Sequence, residues 1–470
     1  MWGKNFYILL IPPWKRYREL GHDKATALLV GEKETERSMK ETTNNYKDAI
    51  DYLYSLQKYG IKFGLSKTTN LLAAFGNPHV GQRYIHIGGS NGKGSVGSMV
   101  ESILRKAGYR VGFYSSPHLL RFSERFRING EEMPAGAATQ LVKEVKKKIH
   151  PDQPPTFFEA TTTMALVYFA RQQTDLAIME VGMGGRLDAT NVIKPLVSAI
   201  TNIALEHQDF LGTRLVDIAN EKAGIVKSGV DLVTGATQSR VIKTFDAACR
   251  EKGAPFWRVG RDMRYRSTPS GLAYYGIDRT LRGLQPGLIG RFQSRNAALA
   301  LGIIELLIRK GLTVRPEHMD KGLAEARWPG RMQVVSHRPI VLLDGAHNPA
   351  ASRELHEAVK AGFRYKRLVL VLGVMEDKDL IGVLHSLVSL SDYVIYTRPE
   401  YYRAADPSVL YQIGLPLKKE GEVVSRLSQA IERGRAIADP EDLILITGSL
   451  FTVGEALGYF FPDACASDPL

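Results

Sequence analysis

The clearest hydrophobic pattern in the chain lies in residues 84–107. It starts with a short apolar stretch, residues 84–87, whose length and composition are typical of a buried strand. A polar, glycine-rich stretch follows, and then apolar residues recur at spacings of three and four: Val96, Met99, Val100, Ile103, Leu104 and Ala107. Because this spacing places them on one face of a helix, the pattern predicts a strand, a loop and a helix that ends at Gly108.

The loop between that strand and that helix, residues 88–95, reads GGSNGKGS. Glycines let a backbone approach a phosphate group without a Cβ in the way, and the N–H groups and dipole of a helix N-terminus favour an anion. Lys93 adds a positive charge for the outer phosphates, and Ser95 adds a hydroxyl for a phosphate or Mg²⁺. The loop therefore predicts nucleotide binding, and a tight turn without a ligand is the alternative.

The common phosphate-loop motif, GxxxxGK[ST], does not fit this loop. Ile87 stands where its first glycine is expected, and Gly94 follows the lysine where serine or threonine is expected. What remains is a shorter motif, GxxGKGS. This departure argues against a phosphate-loop kinase.

Strand and helix patterns alternate on both sides of the stretch Trp328-Pro329-Gly330-Arg331. Short alternating segments in residues 256–289 predict small antiparallel strands. Before residue 328, strands are also predicted at 111–114, 176–181, 197–203 and 231–234, and helices at 46–59, 68–75, 160–172 and 296–308. After it, strands are predicted at 340–343, 368–372, 393–396 and 443–446.

These patterns predict an α/β fold in which a phosphate-loop ATPase domain, with a mainly parallel sheet and a small antiparallel β section, is joined to a smaller Rossmann-like α/β domain. The apolar run at residues 6–11 is too short to span a bilayer and does not fit a signal peptide. The predicted parts are a flexible extension at 1–43, a nucleotide-binding domain at 44–327, a hinge at 328–332 and a smaller C-terminal α/β domain at 333–470.

The composition is ordinary for a globular protein, with 44% hydrophobic and 24% charged residues among 470. The formal net charge of +13 is compatible with nucleic acid, a membrane surface or small polyanions as partners. Because no block of Lys and Arg is interleaved with aromatic residues, nucleic acid is the least expected of these partners. We expect no membrane partner either. The two cysteines, Cys249 and Cys465, form no CxxC motif, which indicates a reducing cytosol and no zinc site.

Polar residues at the predicted strand ends are candidate site residues. Ligands of α/β proteins bind outside the carboxyl ends of the strands, where Ser116 and Glu180 lie in the sequence. A carboxylate within reach of a phosphate loop is a common Mg²⁺ ligand, although Glu180 taken alone is equally well explained as a structural acid. From the sequence alone, Lys222 is a surface lysine.

A series of motifs, in the same order along the chain, resembles the folylpolyglutamate synthase/dihydrofolate synthase family within the Mur ligase superfamily. They extend from Tyr46 to about Gly454, and SPHLLRFSER and DGAHNP are typical of the folate branch. The motifs are YKDAIDYLYSLQKYGIKFGL, GGSNGKGSV, YSSPHLLRFSERFRING, TFFEATT, EVGMGGRLDATN, ITNIALEHQDFLG, IANEKAGIVK, WPGRMQ, LLDGAHNP and GVMEDKD.

The resemblance implies roles for individual residues. Lys93 would contact the β- and γ-phosphates of ATP. Ser116, Glu180 and His207 would ligate Mg²⁺, and Lys222, if carbamylated, would ligate a second Mg²⁺. The loop residues that would bind ATP are Gly89, Ser90, Asn91, Gly92, Lys93, Gly94 and Ser95.

The same resemblance implies roles for the linking stretch and the second domain. Asn296 and Arg331 would contact ATP, and Asp344 and His347 would close over the nucleotide and the incoming glutamate. The catalytic candidates are therefore Lys93, Lys222, Asp344 and His347.

Three further residues are candidates for the folate pocket. They are Arg121, Phe157 and Phe158, the candidates for the lining of the pterin pocket. Two positions depart from the family pattern. Glu206 replaces the usual Asp before the metal-ligand histidine, and Phe292 stands where the family often has a histidine, so no role is carried over to Phe292.

The function implied by the resemblance is an ATP-dependent ligase that adds L-glutamate to dihydropteroate, to the γ-carboxylate of reduced folates, or to both, through an acyl phosphate. It implies ATP as co-substrate and Mg²⁺, with two ions expected, and it allows a monovalent cation. We expect a cytoplasmic monomer whose partners are ATP, L-glutamate and a pteroate or folate. The alternatives are a Mur-like ligase with a non-folate carboxylate acceptor and a nucleotide-dependent binding protein that has lost catalysis.

Overall fold

The computed structural model describes residues 45–60, 64–268 and 270–462. The predicted extension at residues 1–43, the loop at 61–63 and Cys465 lie outside these ranges. In the part of the chain that is described, no helix is both long enough and apolar enough to cross a membrane.

The first α/β unit is built around a large, mainly parallel sheet, as predicted. Its strands are β1 (Tyr84–Gly88), β2 (Val111–Tyr114), β3 (Phe126–Ile128), β4 (Glu131–Glu132), β5 (Leu176–Glu180), β6 (Val197–Ile200), β7 (Asp231–Thr234) and β8 (Phe256–Arg258). Within the described residues their order is β4-β3-β2-β5-β1-β6-β7-β8. From β2 to β8 in this order all neighbours are parallel, whereas β3 and β4 form an antiparallel edge.

The ten α-helices described in this unit cover both faces of the sheet. They are α1 (45–55), α2 (Ser66–Ala74), α3 (Lys93–Lys106), α4 (Ala135–Lys148), α5 (Phe157–Arg171), α6 (Gln208–Leu211), α7 (Leu215–Ala223), α8 (Ser239–Lys252), α9 (Arg291–Arg309) and α10 (Pro316–Glu325). Alternate residues of β1 belong to different cores, because Ile85 packs with α3, α9 and α10 while Tyr84 packs with α1, α2 and α5. Burial on both faces explains why β1 and β5 are buried along their whole length.

A small antiparallel sheet follows the large one. It consists of β9 (Arg264–Thr268), β10 (Gly271–Tyr275) and β11 (Thr280–Leu284), in the order β11-β10-β9. The prediction for residues 256–289 is confirmed for these strands and wrong for residues 256–258, because β8 pairs in parallel with β7 at the edge of the large sheet.

The second α/β unit has a six-stranded sheet within the described residues, in the order β12-β13-β17-β14-β15-β16. All pairs are parallel except β12 with β13. Its strands are β12 (Gln333–His337), β13 (Ile340–Asp344), β14 (Leu368–Leu372), β15 (Tyr393–Arg398), β16 (Glu420–Arg426) and β17 (Leu443–Thr447). Its helices are α11 (Pro349–Gly362), α12 (Leu380–Val388), α13 (Pro407–Gly414), α14 (Leu427–Ile437) and α15 (Leu450–Phe460).

Two of the element boundaries that differ from the prediction lie next to the phosphate loop. Helix α9 starts at Arg291 rather than at 296. The earlier start was not predicted because Gln293 and Asn296 are polar residues on the buried face of the helix and conceal its apolar period. Strand β6 ends at Ile200, three residues before the predicted end. The next residues instead form a loop that supports the phosphate loop.

Candidate active site

A cavity of about 760 Å³ lies between the two α/β units. Its walls come from the phosphate loop after β1, the loops after β5 and β6, the start of α9, the segment 328–332 and the first turns of the second unit. Since these walls include the carboxyl ends of parallel strands, the cavity lies where α/β proteins bind their ligands.

The phosphate loop is fixed by the loop after β6. Asn202 accepts hydrogen bonds from the Ser90 N–H at its carbonyl and from the Asn91 N–H at its side-chain oxygen, both at 2.9 Å. Thr201 Oγ1 donates to the Asn91 carbonyl at 2.6 Å, and the Ala204 N–H donates to Ser90 Oγ at 3.0 Å. The backbone of the phosphate loop is therefore held in shape by protein contacts.

Two glycines of the loop are required by this arrangement. Gly89 and Gly92 have φ angles of +134° and +83°, which L side chains rarely adopt. A Cβ at Gly89 would overlap the side chain of Thr201, and one at Gly92 would lie 2.9 Å from Asn296 Oδ1. The absence of side chains at these positions thus serves packing as well as access for a ligand.

Two lysine ammonium groups meet at one carbonyl of the loop. Lys93 Nζ donates to the Gly89 carbonyl at 3.0 Å and to the Ser90 carbonyl at 3.4 Å. Lys222 Nζ donates to the same Gly89 carbonyl at 3.1 Å. Two positive charges beside the start of α3 make this end of the cavity suited to a polyphosphate.

The prediction that Lys222 is a surface lysine is wrong. Its side chain is 3% exposed, and its Nζ lies 2.9 Å from Glu206 Oε1. Burial lowers the pKa of Lys222, while Glu206 opposes that shift. Burial also raises the pKa of Glu206, but Lys222, Lys93 and His207 together outweigh it and bring that pKa down to about 2. The helix end that carries Lys222 packs against the phosphate loop, which removes the lysine from solvent.

The three predicted Mg²⁺ ligands, Ser116, Glu180 and His207, all line the cavity. Burial raises the pKa of Glu180 to about 7, which Lys93 and Arg331 counteract in part. Although His207 is open to the cavity, the surrounding protein displaces water from its ring and lowers its pKa to about 4. At pH 7 the imidazole is therefore neutral and can offer a nitrogen lone pair to a metal ion.

This donor set fits a hard divalent cation. A carboxylate, a hydroxyl and a neutral imidazole are acceptable ligands, and a cation would stabilise the ionised form of the buried Glu180. In the described ranges no group of three or more His, Cys, Asp and Glu side chains could hold a metal on its own. Mg²⁺ at this position would therefore also need oxygens from the nucleotide or water.

Asn296 and Ser95 are linked through a residue that the sequence analysis did not select. Gln293 Nε2 donates to Ser95 Oγ at 3.3 Å, and Asn296 Nδ2 donates to Gln293 Oε1 at 2.8 Å. This chain joins the first turn of α3 to the first turns of α9. Asn296, the last residue of this hydrogen-bonded chain, lines the cavity, as a contact with the nucleotide requires.

The two candidates from the second unit, Asp344 and His347, also line the cavity. Both oxygens of Asp344 accept backbone hydrogen bonds, from Met332 at 3.0 Å and from Ala346 at 2.9 Å. Burial raises the pKa of Asp344, and Arg331 opposes that shift. The carboxylate thus ties the start of the second unit to the segment before it.

His347 has a defined orientation. Its Nδ1 lies 2.9 Å from the Gly345 carbonyl, and because a carbonyl only accepts, Nδ1 carries the proton. Burial lowers the pKa of His347 to about 4. At pH 7 the ring is therefore neutral, and Nε2 offers a lone pair.

The three folate candidates do not belong to the described lining of this cavity. Arg121 forms a two-bond ion pair with Glu132, at 2.7 and 3.1 Å. Phe157 stacks on Tyr54 with ring centroids 5.5 Å apart. Phe158 packs under Gly182, which does line the cavity, so a folate pocket that uses Phe158 would open behind the loop after β5.

Family models match most of the region that forms this site. The Mur ligase middle domain matches residues 87–304, and the Mur ligase glutamate ligase domain matches residues 330–450. The protein is thus a Mur-type ligase in fold.

Individual relatives show which group of Mur-type ligases the chain is similar to. The chain is 32% identical over 423 residues to the dihydrofolate synthase/folylpolyglutamate synthase of Bacillus subtilis, covering 87% of this chain and 98% of that protein. Escherichia coli FolC, solved in complex with DHPP and ADP, is similar with a TM-score of 0.82 and 35% identity over 88% of this chain and 98% of that chain. A bifunctional folylpolyglutamate synthase/dihydrofolate synthase with Mn, AMPPNP and L-glutamate bound has a TM-score of 0.79 and 32% identity, with 87% and 97% covered.

Other relatives are longer. The chain spans about half the length of the probable bifunctional folylpolyglutamate synthase/dihydropteroate synthases of Haloferax volcanii and Halobacterium salinarum, to which it is 35% and 38% identical over 87% of its own length. The chain belongs to the dihydrofolate synthase/folylpolyglutamate synthase family. The resemblance given by the sequence motifs is confirmed.

Proposed function

We propose that this protein is an ATP-dependent ligase that joins the amine of L-glutamate to a carboxylate of dihydropteroate, of a reduced folate, or of both. The observation that carries the proposal is the convergence of Lys93 and Lys222 on the Gly89 carbonyl, at the start of a helix and inside an interdomain cavity. That arrangement suits the phosphates of ATP in a site that two domains can close.

The chemistry requires two steps. The γ-phosphoryl group of ATP passes to the acceptor carboxylate, which forms an acyl phosphate and releases ADP. The amine of L-glutamate then attacks the acyl carbon, and the tetrahedral intermediate expels phosphate and leaves an amide. Lys93 beside the outer phosphates would stabilise the negative charge that develops in the first step.

Ser116, Glu180 and His207 are the residues that would hold Mg²⁺. The ion would neutralise phosphate charge when bound. A monovalent cation remains an allowed addition that follows from the resemblance alone.

A second Mg²⁺ would need another anionic ligand, and a carbamate on Lys222 could supply it. Lys222 Nζ lies 2.9 Å from Glu206, so a carbamate would stand beside a second anion. A cation between the two groups would relieve their repulsion, and carbamylation is therefore expected to depend on Mg²⁺. Carbon NMR with ¹³C-bicarbonate, with and without Mg²⁺, would detect the carbamate carbon directly.

His347 is the proposed acceptor of the amine's proton. Its Nδ1–H is fixed by the Gly345 carbonyl, so the neutral Nε2 is free to accept. Asp344 acts differently, since both of its oxygens hold backbone N–H groups at the start of the second unit. It would keep Arg331 and His347 in place rather than transfer protons.

L-Glutamate would bind on the wall that the second unit contributes. Lys378, Arg403 and Ser449 lie on that wall, and their cationic and hydroxyl groups suit a dicarboxylate. Closure at the proposed hinge, residues 328–332, would exclude the water that hydrolyses an acyl phosphate. We expect the protein to act as a monomer in the cytoplasm.

The test is ATP-dependent incorporation of labelled L-glutamate, with dihydropteroate and tetrahydrofolate as separate acceptors. Use of both acceptors is the result expected of a bifunctional enzyme, and use of one assigns the protein to that activity. If neither acceptor is used in the presence of ATP and Mg²⁺, the folate acceptor is wrong. A Mur-type carboxylate acceptor would then be the candidate.

A further inference from the structure

The indole ring of Trp328 lies directly over the first turn of the nucleotide helix α3. A Cβ at Gly94 would be 2.5 Å from Trp328 Nε1 and 2.6 Å from its Cε2. Contacts this short do not occur between real atoms, so a side chain at position 94 and the indole cannot both occupy this space. This contact accounts for the glycine where the common phosphate-loop motif has serine or threonine.

The indole is also held on its other sides by the first unit. Phe113 of β2 stacks on it with ring centroids 5.2 Å apart and planes 29° apart. The guanidinium carbon of Arg127 lies 5.0 Å from the ring centroid. Phe113 in turn fills the space beside Gly97, one turn further along α3. Trp328 is therefore packed against the same helix that begins with Lys93.

The residues that follow Trp328 are fixed to the second unit. The Gly345 N–H donates to the Gly330 carbonyl at 2.9 Å, and the Met332 N–H donates to Asp344 at 3.0 Å. Arg331 lies between these two attachments and lines the cavity. The five residues 328–332 thus connect the start of α3 to the second unit.

We propose that Trp328 is a positioning residue that couples the phosphate loop to Arg331, so that the start of α3 and the guanidinium in the cavity move together. This inference rests on the proposed binding of ATP to the loop. A shift of the first turn of α3 would be transmitted through the indole, because the close contact at Gly94 leaves no space to absorb it. Arg331 would then reach its working position when the loop is filled.

Fluorescence of Trp328 tests the coupling in the full chain. The protein has four tryptophans, and replacing Trp2, Trp14 and Trp257 by phenylalanine leaves Trp328 as the single reporter. Adding ATP with Mg²⁺ should change its emission with the same midpoint that equilibrium dialysis of labelled ATP gives. Binding of ATP without any change in emission would overturn the coupling. If labelled ATP does not bind at all, the nucleotide site is wrong, and the coupling is wrong with it.

Substitution of Trp328 separates positioning from packing. In Trp328→Leu the Kd for ATP should stay within about threefold, while kcat falls by about 10-fold to 100-fold, because Arg331 is no longer held in place. Trp328→Phe keeps an aromatic ring on Phe113 and should restore most of the loss. A merely structural role would lower Tm and leave kcat per folded molecule unchanged in both variants. That result would overturn the proposal.

A reciprocal substitution at Gly94 gives a second, independent test. Gly94→Ala places a methyl group against the indole and should reduce kcat by displacing Trp328. The double variant Gly94→Ala with Trp328→Leu should be no less active than Trp328→Leu alone, since the methyl group then has space. Losses in kcat that multiply in the double variant would contradict a direct contact between these residues.

Discussion

Asn91 of the phosphate loop and Asn348 at the start of α11 join the two α/β units through their side-chain amides. Asn348 Nδ2 donates to Asn91 Oδ1 at 2.9 Å, and the reverse bond, from Asn91 Nδ2 to Asn348 Oδ1, measures 3.4 Å. Asn348 Oδ1 also accepts from the Ala351 N–H and so caps α11. The loop that would bind the phosphates is thus hydrogen-bonded directly to the unit that would bind L-glutamate.

Breaking this amide pair should uncouple ATP consumption from amide formation. We expect Asn348→Ser, which keeps a helix cap but removes the amide, to raise the ratio of phosphate released to amide formed. The coupling energy between Asn91→Ala and Asn348→Ser should be about 1 kcal/mol in a double-variant cycle on kcat/KM. Additive effects of the two substitutions would show that the pair does not help to close the cavity.

His347 should be essential for the second chemical step and nearly irrelevant for nucleotide binding. His347→Asn keeps a donor for the Gly345 carbonyl but has no group at Nε2, so kcat should fall by about 100-fold or more with little change in the Kd for ATP. Because burial lowers its pKa to about 4, His347 is neutral above that pH. A loss of wild-type activity that depends on His347 should therefore appear only as the pH falls toward 4. A kcat close to wild type in His347→Asn would exclude proton transfer by this residue.

The Glu206–Lys222 pair should be important for stability as well as for the site. In protein without Mg²⁺ and bicarbonate, where Lys222 carries an ammonium group rather than a carbamate, Glu206→Gln leaves that ammonium, on a side chain that is 3% exposed, without its partner carboxylate. The free energy of unfolding should fall by about 3–5 kcal/mol in urea denaturation, because an unpaired buried charge is costly. Glu206→Asp, which keeps the charge, is the matched control and should lose less. Equal losses in the two variants would mean that shape rather than charge matters here.

His86 should make the protein less stable in mild acid. It is buried in β1 with Nε2 2.8 Å from Thr190 Oγ1, and burial, assisted by Lys227, lowers its pKa to about 3. The unfolded chain takes up the proton near pH 6.5 and the folded chain does not, so stability falls as the pH drops below 6.5. At pH 5 the loss should be about 2 kcal/mol.

The control for this prediction compares how steeply the free energy of unfolding changes with pH, rather than its value at one pH. His86→Gln should be less stable than wild type at pH 7.5 but should lose less stability between pH 7.5 and 5. An unchanged slope in His86→Gln would contradict the burial of a neutral imidazole.

The sequence predicts the central strands of both sheets well and the edges poorly. Strands β1, β5, β14 and β17 are apolar along their length because helices cover both faces, and that pattern is local. Strand β16 reads EGEVVSR and is largely exposed at a sheet edge, so its pattern does not distinguish it from a loop. Its position depends on pairing with β15, which is not visible in a short window.

The same distinction applies to the site. The phosphate loop is a contiguous motif, so Lys93 and its neighbours can be recognised from their spacing. The burial of Lys222 depends on its apposition to Gly89 and Glu206, and the pairing of Asn91 with Asn348 spans 257 residues of sequence. No local pattern encodes such contacts, and a resemblance to a family supplies roles without the geometry that produces them.

Activation of the acceptor carboxylate by ATP transfers one carboxylate oxygen to the released phosphate, and isotope labelling detects this transfer. The acceptor carboxylate is labelled with ¹⁸O, and the phosphate released during ATP-dependent addition of L-glutamate is analysed by mass spectrometry. An acyl phosphate requires one ¹⁸O in phosphate for each amide formed. Amide formation with unlabelled phosphate would contradict activation of the carboxylate by ATP, and with it the mechanism proposed for this site.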